Sequence, residues 1–173
     1  MTPPAPSTIN PAIRAATADD LPEITRIYNH YVPRSTCTYQ EQPDTITARR
    51  HWFDRHGERH PIVVAMLEGK LVGWGSLSPF HSRTAFRFTV EDSVYIDQAY
   101  QRRGIGRALL ADLVRRAHEI GHHAIIAAID AEQTPSLRLH EAAGFIRVGE
   151  LVQVGFKFNR WLNVVYVQKM VER

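Results

Sequence analysis

Cysteine is nearly absent: Cys37 is the single one in 173 residues, so no disulfide can form within the chain. A reducing compartment, the cytoplasm, is the expected location. No apolar run approaches the roughly 20 residues of a membrane span, and no signal-peptide core follows Met1, so no membrane association is expected. Charge of one sign is not concentrated either. The 21 Lys and Arg against 18 Asp and Glu leave +3, and the basic runs are only pairs (Arg49-Arg50, Arg102-Arg103, Arg115-Arg116) without interleaved aromatics. Nucleic acid is therefore not an expected partner. There is no His-Glu-x-x-His, and Gly121 breaks the helical register between His118 and His122. The groups His51, His56, His60 and His118, His122, His123 are read as solvated histidines, with no metal expected. Gly-x-Ser-x-Gly is missing as well, so no covalent enzyme nucleophile is indicated.

What remains is ordinary globular composition, 44% hydrophobic and 23% charged, which supports a single domain over residues 12–173 behind a loose Pro- and Thr-rich tail at 1–11. Residues 12–16 read as a strand. Thr17 or Asp19 then caps a helix with Leu21, Ile24, Ile27, Tyr28 and Tyr31 on one face, ended by Pro33. The stretch 35–42 is irregular. A helix is expected over 44–56, with Ile46, Trp52 and Phe53 as a weak stripe. Strands follow at 62–67 and 71–77, joined through Glu68-Gly69-Lys70. A long alternating strand covers 85–96, a helix 105–120 and an apolar strand 123–129. Thr134-Pro135 reads as N-cap and N1 of a short helix ending near Gly144. Strands at 145–154 and 161–170 flank the turn Phe158-Asn159-Arg160. This order predicts an α/β (α+β) fold: a mixed, mostly antiparallel sheet of about seven strands with helices on both faces.

The organising stretch is 94–120. Val94-Tyr95-Ile96 leads through a polar turn into Gln101-Arg102-Arg103-Gly104-Ile105-Gly106-Arg107 and then a helix carrying Leu109, Leu110, Leu113, Val114 and Ala117 at helical spacing. A helix start offers unbonded backbone N–H groups and positive potential, which suits a phosphate. Gly104 and Gly106 keep side chains out of the way, and Arg102, Arg103 and Arg107 add charge. A Walker loop would need Gly-Lys-Ser/Thr, but Arg107-Ala108 follows Gly106; a dinucleotide fingerprint would need Gly or Ala where Leu109 stands.

The strand before this cradle is apolar at even positions (Phe86, Phe88, Val90, Val94, Ile96) except Asp92, and almost wholly polar at odd ones, Glu91 among them. A carboxylate on the apolar face predicts a bulge near 91–93. If an amine is acylated here, a base must first take a proton from the ammonium ion, and Glu91 is the first candidate. A strand N–H such as that of Ile96 would serve the oxyanion. Ser136 and His140 share a face of the short helix, and His140 is the candidate to protonate a departing thiolate.

The pattern Gln/Arg-x-x-Gly-x-Gly/Ala resembles the pyrophosphate loop of the GNAT N-acetyltransferases. With Ile27-Tyr28-Asn29, Ser35-Thr36, Ser78-Pro79-Phe80, the run from Thr89 to Ile96, Leu139-His140-Glu141 and Gly155-Phe156-Lys157 through Leu162, the chain is similar to the phosphinothricin and methionine sulfoximine branch of that superfamily. The resemblance implies a GNAT fold and a homodimer. It implies acetyl-CoA as co-substrate at Val94, Tyr95, Ile96, Arg102, Arg103, Gly104, Ile105, Gly106, Arg107, Gln133 and Ser136. It implies Glu91 as base, His140 as acid, and a small amino-acid-like amine meeting Tyr28, Arg83, Arg87 and Tyr95, with the acetyl group passing directly in a ternary complex. Four positions depart from that branch: Gln133 stands for its usual asparagine, Asn163 for aspartate, and His81 and Phe86 for arginine and tyrosine. Neutral His81 would weaken recognition of an anion.

Alternatives are another acceptor class, such as a polyamine or a protein N-terminus, or a non-catalytic CoA-binding module. Arg83 and Arg87 favour an acceptor with its own negative charge over a polycation. The presence of both Glu91 and His140 disfavours the module.

Overall fold

A computed structural model describes residues 10–171. The expected tail lies outside the described residues up to position 9. Eleven elements follow: β1 (Ala12–Ala15), α1 (Leu21–Tyr31), α2 (Ile46–Asp54), β2 (Ile62–Leu67), β3 (Lys70–Pro79), β4 (Thr89–Ile96), α3 (Ile105–Ile120), β5 (Ala124–Asp130), α4 (Thr134–Ala142), β6 (Ile146–Lys157) and β7 (Arg160–Met170). The strands make one sheet in the order β1-β2-β3-β4-β5-β7-β6. All neighbours are antiparallel except β4 and β5. This is the mixed sheet expected.

Alternation along β2 explains the layering. Val63 and Ala65 join the core beneath α3, with Leu109, Leu110 and Leu113; Ile62 and Val64 join the core beneath α1, with Ile24, Ile27 and Trp74. A sheet covered on both faces needs apolar side chains at consecutive positions, which is why this strand reads as a continuous hydrophobic run. The tight turns Glu68-Gly69 and Phe158-Asn159 have positive φ at both positions, the geometry that matches strand twist in a two-residue hairpin.

Several local expectations change. Residues 85–88 are not strand: Thr84–Phe86 is a 3-10 turn, and Phe86 and Phe88 are exposed. Their alternation imitates a strand, but they lie on the approach to β4, where no helix covers them. The bulge at 91–93 is also missing, since β3 and β4 pair without a register shift from Val90 to Ile96. The helix α2 starts two residues late because Thr45 caps it, its side chain accepting from Ala48 N at 3.1 Å. Its buried residue is Arg49, not Ile46, which is exposed. The guanidinium sits 4.0 Å from the Tyr28 ring centroid and 4.7 Å from that of Trp52, with Asp44 Oδ2 2.6 Å from Nη2. Aromatic faces and a carboxylate make that burial tolerable. In α4 the N-cap is Gln133, so Thr134 and Pro135 are the first and second helical residues. The last hairpin runs on to Lys157 because two irregularities, at 147–149 and 151–155, reset its pairing with β7.

Candidate active site

Pairing with β5 leaves half of β4 open. The parallel ladder runs from Thr89 to Glu91 and stops there, while β3 continues alongside to Ile96. Asp97 N donates to Val72 O at 2.9 Å, so odd-numbered residues of β4 bond toward β3. Antiparallel alternation then turns the N–H groups of Val94 and Ile96 to the opposite edge, where β5 has diverged. A strand edge without a partner can take an extended ligand by backbone bonding.

The edge ends at the helix start. Gly104, with φ +86, is the N-cap of α3 and brings no side-chain cap. Ala108 N returns to Gly104 O, leaving the N–H groups of Ile105, Gly106 and Arg107 in the first turn. Arg102, Arg103 and Arg107 surround them, exposed. One expectation about the glycines changes. A Cβ on Gly106 would lie 2.9 Å from Ile96 Cδ1 and 3.3 Å from Leu139 Cδ2, so this glycine lets α3 approach β4 and α4 and does not leave space for a ligand.

At its other end the same strand carries two carboxylates on opposite faces. Glu91 lines a cavity of about 380 Å³ together with Tyr39, Ala128, Val154, Phe156, Lys157 and Tyr166. Burial, then the neighbouring charge of Asp92, raises its pKa above the ordinary carboxylate value. Asp92 points to the α3 and α4 side, where its Oδ2 lies 3.0 Å from His140 Nε2; His140 Nδ1 is 2.8 Å from Ser136 O. Burial opposes the charge on His140, but the bond and charge of Asp92 outweigh it and leave its pKa raised. Asp92 Oδ1 is buried without a partner among the described residues.

The other predicted residues divide. Tyr28 and Tyr95 turn their hydroxyls to one short loop: Tyr28 Oη is 2.7 Å from Thr38 Oγ1, and Tyr95 Oη donates to Cys37 O at 3.2 Å. Arg83 and Arg87 are exposed on the turn before β4 and do not line the cavity at Glu91. Gln133 donates to Thr36 Oγ1 at 3.0 Å. Ser136 contributes its carbonyl to His140. Asn163 accepts from Gln153 N at 2.9 Å and donates to Glu150 Oε1 at 2.8 Å, a pair of roles that an aspartate would not fill. Among the described residues no three His, Cys, Asp or Glu are grouped to hold a metal ion. His122 is not solvated, as expected above, but 1% exposed, with Nε2 donating to Arg59 O at 2.7 Å.

Sequence reasoning missed Lys157 and the Asp92–His140 pair. Lys157 is buried and donates to Ser35 O at 2.8 Å and Thr38 O at 2.7 Å. The lysine between Phe156 and Phe158 was the available signal, since a cation amid apolar neighbours at a hairpin end needs acceptors. Asp92 on an apolar face was the other signal, pointing to a partner in place of a bulge.

A sheet opened along one edge, running from a half-buried carboxylate to a basic helix start, has the parts of an enzyme that works on a phosphate-bearing molecule. The chain belongs to the acetyltransferase (GNAT) family, whose model matches residues 24–145. It is 40% identical over 159 residues to the phosphinothricin N-acetyltransferase of Alcaligenes faecalis, spanning 91% of this chain and 81% of that protein. It is 35% identical over 161 residues to the L-methionine sulfoximine/L-methionine sulfone acetyltransferase of Salmonella typhimurium, spanning 92% and 94%. The crystal structure of a GNAT superfamily phosphinothricin acetyltransferase from Sinorhizobium meliloti in complex with acetyl-CoA superposes with a TM-score of 0.91 at 38% identity, covering 94% of this chain and 89% of that one.

Proposed function

We propose that the protein moves the acetyl group of acetyl-CoA to the primary amine of a small amino-acid-like acceptor, of the phosphinothricin, methionine sulfoximine or methionine sulfone type, by direct attack in a ternary complex. The observation that carries the reading is the open edge of β4, which links Glu91 to the start of α3. The first-turn N–H groups of α3 with Arg102, Arg103 and Arg107 hold the diphosphate, and the exposed edge at Val94 and Ile96 bonds the pantetheine arm. Tyr95 and Ser136 flank that arm.

Glu91 takes a proton from the acceptor's ammonium group, and its raised pKa brings it closer to the operating pH. The N–H of Ile96 or Val94 faces the developing oxyanion. His140 sits between two acceptors, a carbonyl and a carboxylate, so both nitrogens are best satisfied when both carry protons. The pair with Asp92 therefore stores the proton that the departing thiolate needs. Arg83 and Arg87, just before β4, bring positive charge to meet an acidic acceptor. They favour this class over a polyamine.

The reading extends to a homodimer. Edge strand β6 exposes Ile146, Val148, Val152, Val154 and Phe156, and Trp161 of β7 adds to the patch. An edge that long and apolar is one that proteins cover. For place in the cell, no helix among the described residues is long and apolar enough to cross a membrane. The location proposed is the cytoplasm, in keeping with the single cysteine. The test of activity is a panel of methionine sulfone, methionine sulfoximine, phosphinothricin and spermidine with acetyl-CoA, followed by thiol release. Release with the three amino acids and not with spermidine is expected; release with spermidine alone would sink the acceptor class.

A further inference from the structure

Glu91 is a carboxylate without a hydrogen-bond donor. Burial and the charge of Asp92 are what act on it, and among the described residues no hydroxyl or N–H does. Yet a hydroxyl stands directly opposite. Ser78 of β3 is the register partner of Glu91 on β4. Opposed residues of an antiparallel pair project from the same face of the sheet, their Cβ atoms about 5 Å apart. A serine so placed is the natural donor to the carboxylate.

Its proton goes elsewhere. His56 lies two residues beyond α2, whose Trp52 packs on Trp74 of β3 with ring centroids 5.3 Å apart. The His56 ring is half-buried, not solvated as expected above, and both nitrogens are engaged: Nδ1 is 2.7 Å from Trp52 O, and Nε2 is 3.0 Å from Ser78 Oγ. A backbone carbonyl only accepts, so Nδ1 carries a proton. Burial opposes a second one and, with the charges of Arg55 and Arg49, outweighs the bond to Trp52 O, leaving the pKa of the ring lowered. His60 is the other titratable group near it. A neutral ring protonated at Nδ1 has a bare Nε2, and the Ser78 hydroxyl donates to that nitrogen.

We propose that His56 is a positioning residue that holds the Ser78 hydroxyl away from Glu91 and so keeps the base strong. A donated hydrogen bond would stabilise the charged carboxylate and lower its proton affinity. With the hydroxyl committed to His56, Glu91 faces only the cavity, whose other polar side chains are Tyr39, Lys157 and Tyr166. Lys157 is itself committed to the carbonyls of Ser35 and Thr38. The role in catalysis rests on Glu91 being the base proposed above; the proton affinity of its carboxylate can be read without that.

The carboxyl carbon signal of Glu91, followed by NMR across pH and assigned by its loss in Glu91→Gln, reports that affinity with no substrate present. His56→Leu frees the hydroxyl, so the midpoint should move to lower pH, a roughly tenfold loss of proton affinity for one hydrogen bond gained by a charged group. His56→Gln keeps a donor for Trp52 O and an acceptor for Ser78, and should hold the native midpoint. Ser78→Ala added to His56→Leu removes the freed hydroxyl and should restore that midpoint, which lost packing at 56 would not allow. The acid limb of kcat/KM for the acceptor should follow the midpoint in each protein. An unchanged midpoint in His56→Leu, or one lowered equally in the double variant, overturns the proposal. Should His56→Leu not fold, the native protein decides: nitrogen NMR at alkaline pH should show His56 protonated at Nδ1, and a ring protonated at Nε2 overturns the proposal. If the midpoints move as expected while the acid limb stays fixed, Glu91 as base fails and the hold on Ser78 stands.

Discussion

His140 Nε2 lies 3.0 Å from Asp92 Oδ2, deep between α4 and β4, with both side chains almost fully buried. The two residues are 48 positions apart and are brought together because β4 and α4 flank the same opening in the sheet. An ion pair removed from water costs desolvation that only close, well-oriented bonding repays. Here the carbonyl of Ser136 completes the bonding of the ring.

Asp92→Asn should therefore lower acetyl transfer at neutral pH by about a hundredfold, the lower range for loss of a positioned acid or base. The sign of the accompanying stability change follows from the raised pKa of His140. Its stabilising contribution is complete below the ordinary histidine value of 6.5 and is lost as pH rises through the folded-state value. Denaturant midpoints should show native protein and Asp92→Asn far apart at pH 6 and closer together at alkaline pH. A constant gap would show that the pair does not hold an extra proton.

Glu91→Gln should cut turnover by roughly a hundredfold or more while leaving acetyl-CoA affinity unchanged. It should also stabilise the protein at pH 7 to 8. A carboxyl group whose pKa is raised by burial favours the folded state while protonated, and that contribution is lost as pH rises through the folded value. The neutral amide removes the penalty. Full activity in this variant would take Glu91 out of the mechanism, and a lower melting temperature at pH 8 would contradict its burial.

Gly106 gives a prediction that distinguishes packing from ligand access. An alanine there brings its Cβ to 2.9 Å from Ile96 Cδ1, a terminal methyl that can turn aside. Helix propensity favours alanine over glycine by about 1 kcal/mol, so Gly106→Ala should be close to neutral in stability. Gly106→Leu has no such escape between Ile96 and Leu139 and should cost about 1–3 kcal/mol or more by chemical denaturation. A stable leucine variant that merely failed to bind acetyl-CoA would return Gly106 to the role first expected of it.

What could be read in advance was local. Gly104, Gly121 and the leucine spacing between them delimit α3 because capping and periodicity act within a few residues. Three links that shape the site have no local trace: Asp92 to His140 across 48 residues, Thr36 to Gln133 across 97, and Ser35 to Lys157 across 122. Each depends on how strands are ordered in the sheet, which no window of sequence carries. Arg49 misleads in a different way. A charged residue counts as surface in any hydrophobic pattern, yet here Tyr28, Trp52 and Asp44 enclose it. Phe86 and Phe88 mislead in reverse, apolar residues with no core to enter. Legible patterns are those whose partners lie nearby in sequence.

The exposed face of β6 supplies the last expectation. Val152 is 67% exposed and Ile146 66%, on a strand that pairs with β7 on one side and has no strand on the other. Two irregularities, at 147–149 and 151–155, interrupt its pairing with β7; within the second, Gln153 adopts φ +56 and its N–H is taken by Asn163. Because Val152 is two-thirds exposed on this edge, Val152→Glu should leave the fold intact and place a charge where a second copy would sit. Light scattering after gel filtration at micromolar concentration should report a dimer for the native protein and a monomer for the variant, with unchanged circular dichroism. Since Val154 and Phe156 of the same strand border the cavity at Glu91, the monomer should also show a higher KM for the acceptor than for acetyl-CoA relative to native protein. A native monomer would leave this apolar edge without its proposed cover.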